Sequence, residues 1–228
     1  MLIASQFIAA IALLAALHVT VVALLGRWLG IAIREVSFGM GPALLSAGVF
    51  RLRALPLGGS VVFKDTQTEA PPSGAIDIDI DKWAVDAFDH QPRAVRVLLP
   101  LCGVAALAAV AFALHPGSAG ASAAHGFAQW VSGALAPSST ALRLIEGATR
   151  VASLGFTPLL GMLAAKLTAL NLLPLPSMAG GQALLALLDP SPRDMPQWKV
   201  SLLQGSVWLL LALALSWAAA VGIFALGR

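Results

Sequence analysis

Residues 171–181 read Asn-Leu-Leu-Pro-Leu-Pro-Ser-Met-Ala-Gly-Gly and interrupt an apolar segment that begins at Val151. Pro174 and Pro176 cannot continue a helix, because each lacks a backbone N–H and its ring clashes with the preceding turn. The helix before them must therefore end here. Inside a membrane, such a break is tolerated only where protein or a water-filled cavity surrounds it. If the segment lies in a bilayer, it dictates how the rest of the chain packs.

The composition places this segment in a bilayer. Of the 228 residues, 58% are hydrophobic and 11% are charged, whereas soluble domains have roughly 45–50% and about 25%. This excludes a large soluble catalytic domain, and no clustered basic face suggests binding to nucleic acid. The single cysteine, Cys102, excludes an intrachain disulfide framework and a cysteine-based zinc site.

Four apolar runs are long enough to cross a membrane, since each helical span needs about 20 residues. They cover residues 2–25, 95–114, 151–173 and 200–226. We predict an α-helical multi-pass membrane protein with about four transmembrane helices. Residues 1–188 would form its core, and residues 189–228 a cytoplasmic turn and a C-terminal transmembrane helix.

The region between the first two spans is the largest polar segment. Within residues 30–64, short extended runs alternate with Gly and Pro, a pattern typical of β-hairpins. We predict a membrane-associated hairpin region there, followed by a cytoplasmic linker over residues 65–94. The acidic stretch Asp77–Asp81 fits a solvated strand edge better than a calcium loop, because Gly and Glu are absent at the required positions. Residues 115–150, rich in Gly, Ala and Ser, are predicted to be a loop without an inserted domain.

The basic residues predict the orientation. Loops with an excess of Lys and Arg remain on the cytoplasmic side. Eight of the fourteen Lys and Arg residues precede or begin the second span: Arg27, Arg34, Arg51, Arg53, Lys64, Lys82, Arg93 and Arg96. We expect an integral protein of a bacterial inner membrane, with residues 26–94 in the cytoplasm and both termini outside.

Three polar residues lie inside the apolar runs. They are His18 in the first span and Lys166 and Asn171 in the third. Ionisable residues within a membrane are functional candidates by default. His18 is also compatible with a simple helix contact, and Lys166 with a side chain that extends toward the interface.

Four segments follow one another in a recognisable order. They are Leu17-His-Val-Thr-Val-Val22 with Gly30–Pro42, then Leu52–Val61 with Pro56, Gly58 and Gly59, then Phe88–Pro92, and finally Asn171–Gly181 with Pro174, Pro176, Gly180 and Gly181. This series resembles the site-2 protease family, the intramembrane zinc metalloproteases of the M50 type. The family patterns are H-E-x-x-H, I-P-L-G-G-Y-V, F-x-x-K-P followed by A-G-P-x-x-N, and N-L-L-P-x-P-x-L-D-G-G. In A-G-P-x-x-N the glycine matches Gly103, the proline falls on Val104 and the asparagine falls on Leu107. The resemblance implies a zinc endopeptidase built around a broken-helix groove.

The residues at the family's catalytic positions depart from its pattern. His18 matches the first zinc ligand, and Asn171 matches the asparagine of the last motif. The glutamate base falls on Val19, the second ligand on Val22 and the third on Ala179. A catalytic zinc needs three protein ligands and an open position. One imidazole does not meet this requirement, so we expect no catalytic residues, no bound metal and no cofactor.

We therefore predict a catalytically inactive homologue that binds another membrane protein within the lipid bilayer. A strand of the partner would pair with the hairpin edge at Leu52–Phe63, or small residues of spans two to four would pack against partner helices. Two alternatives remain: an active protease whose zinc ligands come from other positions or a partner, and a small transporter or channel component with His18, Lys166 and Asn171 along a polar path. In the inactive homologue, which lacks the positive charge of zinc, the Lys166 ammonium near Asn171 would fill the polar centre.

Overall fold

The computed structural model describes residues 2–69, 83–189 and 196–227, and a two-stranded sheet interrupts an otherwise helical chain. In chain order the elements are α1 (Leu2–Trp28), β1 (Ile33–Ala47), β2 (Phe50–Phe63), α2 (Arg93–Leu114), α3 (Ala119–Leu135), α4 (Thr140–Ser153), α5 (Phe156–Asn171), α6 (Ala179–Leu188) and α7 (Gln197–Leu226).

Among the described residues, three helices are long and apolar enough to cross a membrane: α1, α2 and α7. They coincide with the predicted spans at residues 2–25, 95–114 and 200–226. The predicted span at residues 151–173 is divided, because α4 ends at Ser153 and Gly155 has a φ of +126°. Its main part, α5, has 16 residues. The chain therefore has the predicted membrane helices and hairpin region, but the count of four spans is not confirmed.

The prediction of a loop over residues 115–150 is wrong, because α3 and α4 occupy most of it. The abundance of Gly and Ala in α3 serves packing rather than flexibility. A Cβ on Gly126 would lie 2.7 Å from the Ala169 side chain of α5, and one on Gly133 would lie 2.3 Å from the Trp217 ring of α7. Small residues let neighbouring membrane helices approach closely, and α3 uses them on both sides.

The helical core forms around α2 and α5. Helix α2 packs against α1, α5 and α6, and α5 also packs against α1, α3 and α4. The central cluster consists of Leu14, Leu107, Ala111, Ala119, Ala164 and Ala165. Protein therefore surrounds the short helix α5, as the proline break at its end requires.

The sheet packs against α1 at its base and extends away from it. Near the base, Ile33 lies opposite Phe63 and Val36 opposite Val61; at the far end, Ala47 lies opposite Phe50. Residues 36–38 have partners on both sides, since they also pair with residues 50–52. The strand bends at Gly39, whose φ is +91° and whose Cβ position lies 2.5 Å from the Leu55 carbonyl oxygen. Only glycine fits such a site.

A polar cluster joins the sheet to the start of α2. The buried Lys64 ammonium donates to an Asp86 carboxylate oxygen at 2.6 Å and also to the Trp83 carbonyl. The buried Asp89 carboxylate accepts a hydrogen bond from the Thr66 backbone N–H at 3.1 Å. The segment after β2 is thus fixed against the segment that leads into α2. The predicted strand edge at Asp77–Asp81 and residues 190–195 of the predicted cytoplasmic turn lie outside the described residues.

Candidate functional site

His18 and Val19 occupy the place where α1 meets both α2 and the sheet. The imidazole packs on Gly103 of α2, where a Cβ would lie 2.6 Å from Nδ1 and 2.9 Å from the His18 carbonyl oxygen. On the other side, a Cβ on Gly59 of β2 would lie 2.8 Å from a Val19 methyl group. Because both residues are glycines, the backbones of α2 and β2 lie directly against the face of α1 that carries His18 and Val19.

The second half of the site is the break after α5. Helix α5 ends at Asn171, whose side-chain amide donates to the Leu167 carbonyl of the preceding turn at 2.9 Å. Helix α6 begins at Ala179, and the two following glycines press against the loop between the helices. A Cβ would lie 2.4 Å from the Leu172 carbonyl oxygen at Gly180 and 2.1 Å from the Leu175 carbonyl oxygen at Gly181. The prolines and glycines of this motif thus form one compact turn.

The positions that would carry polar catalytic groups are buried and aliphatic. Val19 is 1% exposed, and Val22 and Ala179 are each 8% exposed. Leu107 and Val104, at the family's asparagine and proline positions, are 1% and 3% exposed. All of them except Val104 stand where the family's pattern has a hydrogen-bonding or metal-binding side chain.

The donor set does not fit a catalytic zinc ion. Within residues 2–69, 83–189 and 196–227, no group of three His, Cys, Asp or Glu side chains is placed to hold a metal. His18 Nδ1 is buried and has no hydrogen-bond partner there. A zinc-bound imidazole normally uses its second nitrogen to donate to a carboxylate or carbonyl. Neither the ligand count nor this surrounding support is present at His18.

Lys166 faces away from the break. Its ammonium donates to the Ser122 carbonyl of α3 at 2.8 Å, and its own carbonyl accepts from the Trp130 indole at 2.9 Å. Asn171 bonds within α5 instead. The suggestion that the Lys166 ammonium takes the place of zinc beside Asn171 is therefore wrong. Asn171 is five positions after Lys166 in α5, so the two side chains lie on different faces of a helix with 3.6 residues per turn.

The far half of the sheet presents an exposed apolar surface, which we call the hairpin tip. Six of its side chains are 49–69% exposed: Met40, Leu44, Leu45, Phe50, Leu52 and Leu55. Pro56 is exposed beside them, and Gly58 has a φ of +120°. Contiguous exposed apolar patches of this kind mark contacts with protein or membrane.

The geometry and the sequence motifs agree with a match to a family model. The model described as peptidase family M50 matches residues 6–215, nearly the whole chain. The chain belongs to peptidase family M50. Its M50 match, its apolar helices and its hairpin region together establish an integral membrane protein of the site-2 protease family. No curated protein matches the sequence.

Sequence reasoning missed one feature of this M50 protein, the cluster that joins α3 to α7. The Trp217 indole donates to the Trp130 carbonyl at 3.1 Å, and the two rings meet edge to face at 5.2 Å between centroids. The signal was Trp130 itself, because a large aromatic residue is unusual in a Gly- and Ala-rich loop. It indicates a packed helix.

Proposed function

We propose that this M50 protein is a pseudoprotease, a membrane-embedded subunit that binds another membrane protein without cutting it. The observation that carries the proposal is the buried Val19, which stands at the position of the catalytic glutamate and packs against Gly59 of the sheet. A valine can neither accept a proton from a zinc-bound water nor return one to a leaving amine. General acid–base catalysis needs such a group within hydrogen-bond reach of the substrate.

The ligand positions support the same proposal. In the family's pattern, the helix places two histidines one turn apart on one face. Here that turn has an imidazole at His18 and an isopropyl group at Val22, and Ala179 stands at the third ligand position. A single imidazole lacks the coordination that lowers the pKa of a metal-bound water to about 7. Each polar group was replaced by an aliphatic one, so the core stays packed without a metal.

The proposed binding surface is the hairpin tip. Residues 50–52 pair on both sides, with residues 36–38 and 45–47, so the edge predicted at Leu52–Phe63 is not free at its first residue, Leu52. Residues 43–47 pair on one side, with residues 50–53, within the described part of the chain. Strand addition therefore has a free edge at residues 43–47, where Leu44 and Leu45 are exposed. Backbone hydrogen bonds would supply affinity and the exposed leucines specificity.

The proposed topology puts the hairpin tip on the cytoplasmic side. Arg34, Arg51, Arg53 and Lys64 lie in or directly after the strands, and Arg93 and Arg96 begin α2. Lys199 stands in the first turn of α7. The positive-inside rule assigns this end of the molecule to the cytoplasm and both termini to the outside.

Two measurements on the purified full-length protein test the absence of catalysis. We expect elemental analysis to find no stoichiometric zinc, and a membrane-protein substrate to remain uncut with and without a chelator. Stoichiometric zinc together with chelator-sensitive cleavage that is lost in His18→Ala would overturn the proposal. It would favour the active protease with ligands from other positions.

The binding role needs a separate test. A photo-crosslinking amino acid at Leu45 should capture a discrete membrane protein in cells, identified by mass spectrometry. The matched control places the same amino acid at Val85, which lies outside the sheet. Its exposure of 70% is comparable with the 62% of Leu45. Equal capture at both positions would remove the hairpin tip as the binding surface.

A further inference from the structure

A cavity lies among α3, α4 and α5, away from the break between α5 and α6. Its volume is about 480 Å³, and Phe7 of α1 and Trp217 of α7 close its sides. Small-molecule sites typically measure roughly 300–1,000 Å³. The cavity takes no part in the proposed pseudoprotease role, because no motif residue of that site lines it.

Most of the wall of this cavity is apolar. Phe7, Val151 and Leu163 contribute hydrocarbon surface, and the Trp130 and Trp217 rings form one side. Both indole N–H groups donate to backbone carbonyls, at 2.9 Å for Trp130 and 3.1 Å for Trp217. The polar edges of the rings are thus satisfied, and the rings offer the cavity mainly apolar surface.

Two cations stand at the cavity without an acidic partner among the described residues. The half-buried Lys166 ammonium bonds to the Ser122 carbonyl at 2.8 Å, and no carboxylate of the described residues lies within ion-pair distance of it. Arg143, at the exposed rim, donates to the Thr140 hydroxyl at 3.3 Å and has no ion pair in the same part of the chain. The nearby acid on α4, Glu146, lines a different cavity beside Ile3 and Phe224.

An ammonium has three donors, and a half-buried one that meets a single carbonyl leaves charge and donors uncompensated at an apolar wall. Such an arrangement favours an anion that carries hydrocarbon with it. We propose that the cavity binds a membrane lipid with an anionic carboxylate or phosphate head group. The head group contacts Lys166 with Arg143 at the rim, and an acyl chain lies along Phe7, Val151 and Leu163.

Native mass spectrometry of the full-length protein in a non-ionic detergent tests this site. The probes are oleate for a carboxylate head, short-chain phosphatidylglycerol for a phosphate head, and short-chain phosphatidylcholine as a lipid without net charge. We expect one or both anionic lipids to be retained in preference to phosphatidylcholine. The anionic arm that responds identifies the head group.

Two variants assign the binding to this cavity. Lys166→Gln should weaken the anionic lipid roughly 10- to 100-fold, the usual effect of removing a hydrogen bond to a charged group. Its control is Arg150→Gln, which removes the same charge from the neighbouring cavity. Gly147→Phe should abolish binding, because Gly147 lines the cavity and a Cβ there meets nothing within 4 Å, so the ring fills the space. Gly147→Ala is its control.

Lipid retention by the wild type and the variants decides whether the site exists. Preferential retention of an anionic lipid that is lost in Gly147→Phe and retained in Gly147→Ala supports the site even if Lys166→Gln fails to fold. Equal retention of phosphatidylcholine overturns it, as does wild-type affinity in Gly147→Phe. Thermal unfolding of each variant identifies loss of binding that reflects loss of structure. Because the readout is lipid retention, the result is independent of whether the chain cleaves peptides.

Discussion

Two sets of positions relate to the M50 pattern in opposite ways. Gly59, Gly103 and Gly181 keep the family's residues and lie so close to neighbouring atoms that a Cβ would come within 2.1–2.6 Å of one. Val19 and Ala179 stand where the family's polar residues would be, and both are buried among apolar neighbours. The positions that hold the backbone together are kept, while those that would carry chemistry are filled with hydrocarbon.

The contrast separates what the fold needs from what proteolysis needs. Close backbone contacts are required for the hairpin and the broken helix to reach α1 and α2 at all. The polar groups of a zinc site contribute nothing to that packing once no metal is bound, and a buried unpaired charge is costly. A pseudoprotease, as proposed for this chain, is therefore more stable with aliphatic side chains at those positions.

The largest expected effect comes from returning the catalytic carboxylate alone. Val19→Glu places an unpaired charge at a position that is 1% exposed. We expect it to lower the free energy of unfolding by about 3–5 kcal/mol, measured by denaturant titration in detergent. Val19→Gln is the neutral control of the same shape and should cost less. If the two variants cost the same, the position tolerates charge, and the cost of a buried charge does not explain the valine there.

The second-largest effect is expected at Gly181, which has the closest contact of the three glycines. A Cβ on Gly181 would lie 2.1 Å from the Leu175 carbonyl oxygen, so Gly181→Ala must displace the loop before α6. We expect a loss of about 3 kcal/mol in thermal unfolding. The control is Gly205→Ala in α7, where a Cβ meets nothing within 4 Å. That change should be neutral or stabilise the helix by up to about 1 kcal/mol. Equal melting temperatures for both variants would contradict the prediction.

A smaller effect is expected at the contact between Gly103 and the His18 ring. Gly103→Ala brings a Cβ within 2.6 Å of the His18 ring and should cost about 1–3 kcal/mol. In a His18→Ala background the ring is gone, although the His18 carbonyl oxygen at 2.9 Å remains. The double variant should therefore recover part of the loss, with a coupling of at least about 0.5 kcal/mol. Simple additivity would show that the imidazole does not pack on Gly103.

The smallest effect lies outside both sets, in an ion pair at the base of the sheet. Arg34 lies 2.6 Å from a Glu69 carboxylate oxygen, and its guanidinium lowers the pKa of that carboxyl below its ordinary value. The pair therefore contributes stability above the ordinary glutamate pKa of about 4.3. That contribution is lost as the pH falls through the lowered pKa of the folded state.

Glu69→Gln should cost less than about 1 kcal/mol at neutral pH, because exposed ion pairs are weak. It should also remove this part of the acid sensitivity, measured as the melting temperature between pH 3 and pH 7, roughly the range around the carboxylate pKa. Glu146→Gln is the matched control, since Glu146 forms no ion pair with the described residues. An identical pH dependence in both variants would rule out the role of the pair.

The sequence predicted those elements whose signal is local. Run length identified α1, α2 and α7, and Gly and Pro punctuation identified the hairpin region. The composition of residues 115–150 was misleading, because Gly and Ala are typical of loops in water and of close helix contacts in a membrane. The helical spacing of Leu144, Ala148 and Val151, which follow one another at i, i+4 and i+7, would have indicated α4.

The site was only partly accessible from the sequence. The motif pattern identified Val19, Val22 and Ala179 as altered positions. It did not place the Lys166 ammonium on Ser122, because this depends on how α3 crosses α5. The contact between Trp130 and Trp217 joins residues 87 positions apart, and tertiary packing alone determines it.

The shortness of α5 has a consequence for how the protein matches its bilayer. At about 1.5 Å per residue, its 16 residues extend roughly 24 Å, less than the ~30 Å hydrocarbon thickness, while the 30 residues of α7 extend roughly 45 Å. Because α1, α2, α3 and α4 surround α5, its mismatch is not imposed on lipid. The outer helices contact the lipid, so their lengths must match the thickness of its hydrocarbon layer. Helix α7 is longer than that thickness and fits it by tilting or by extending into the interface.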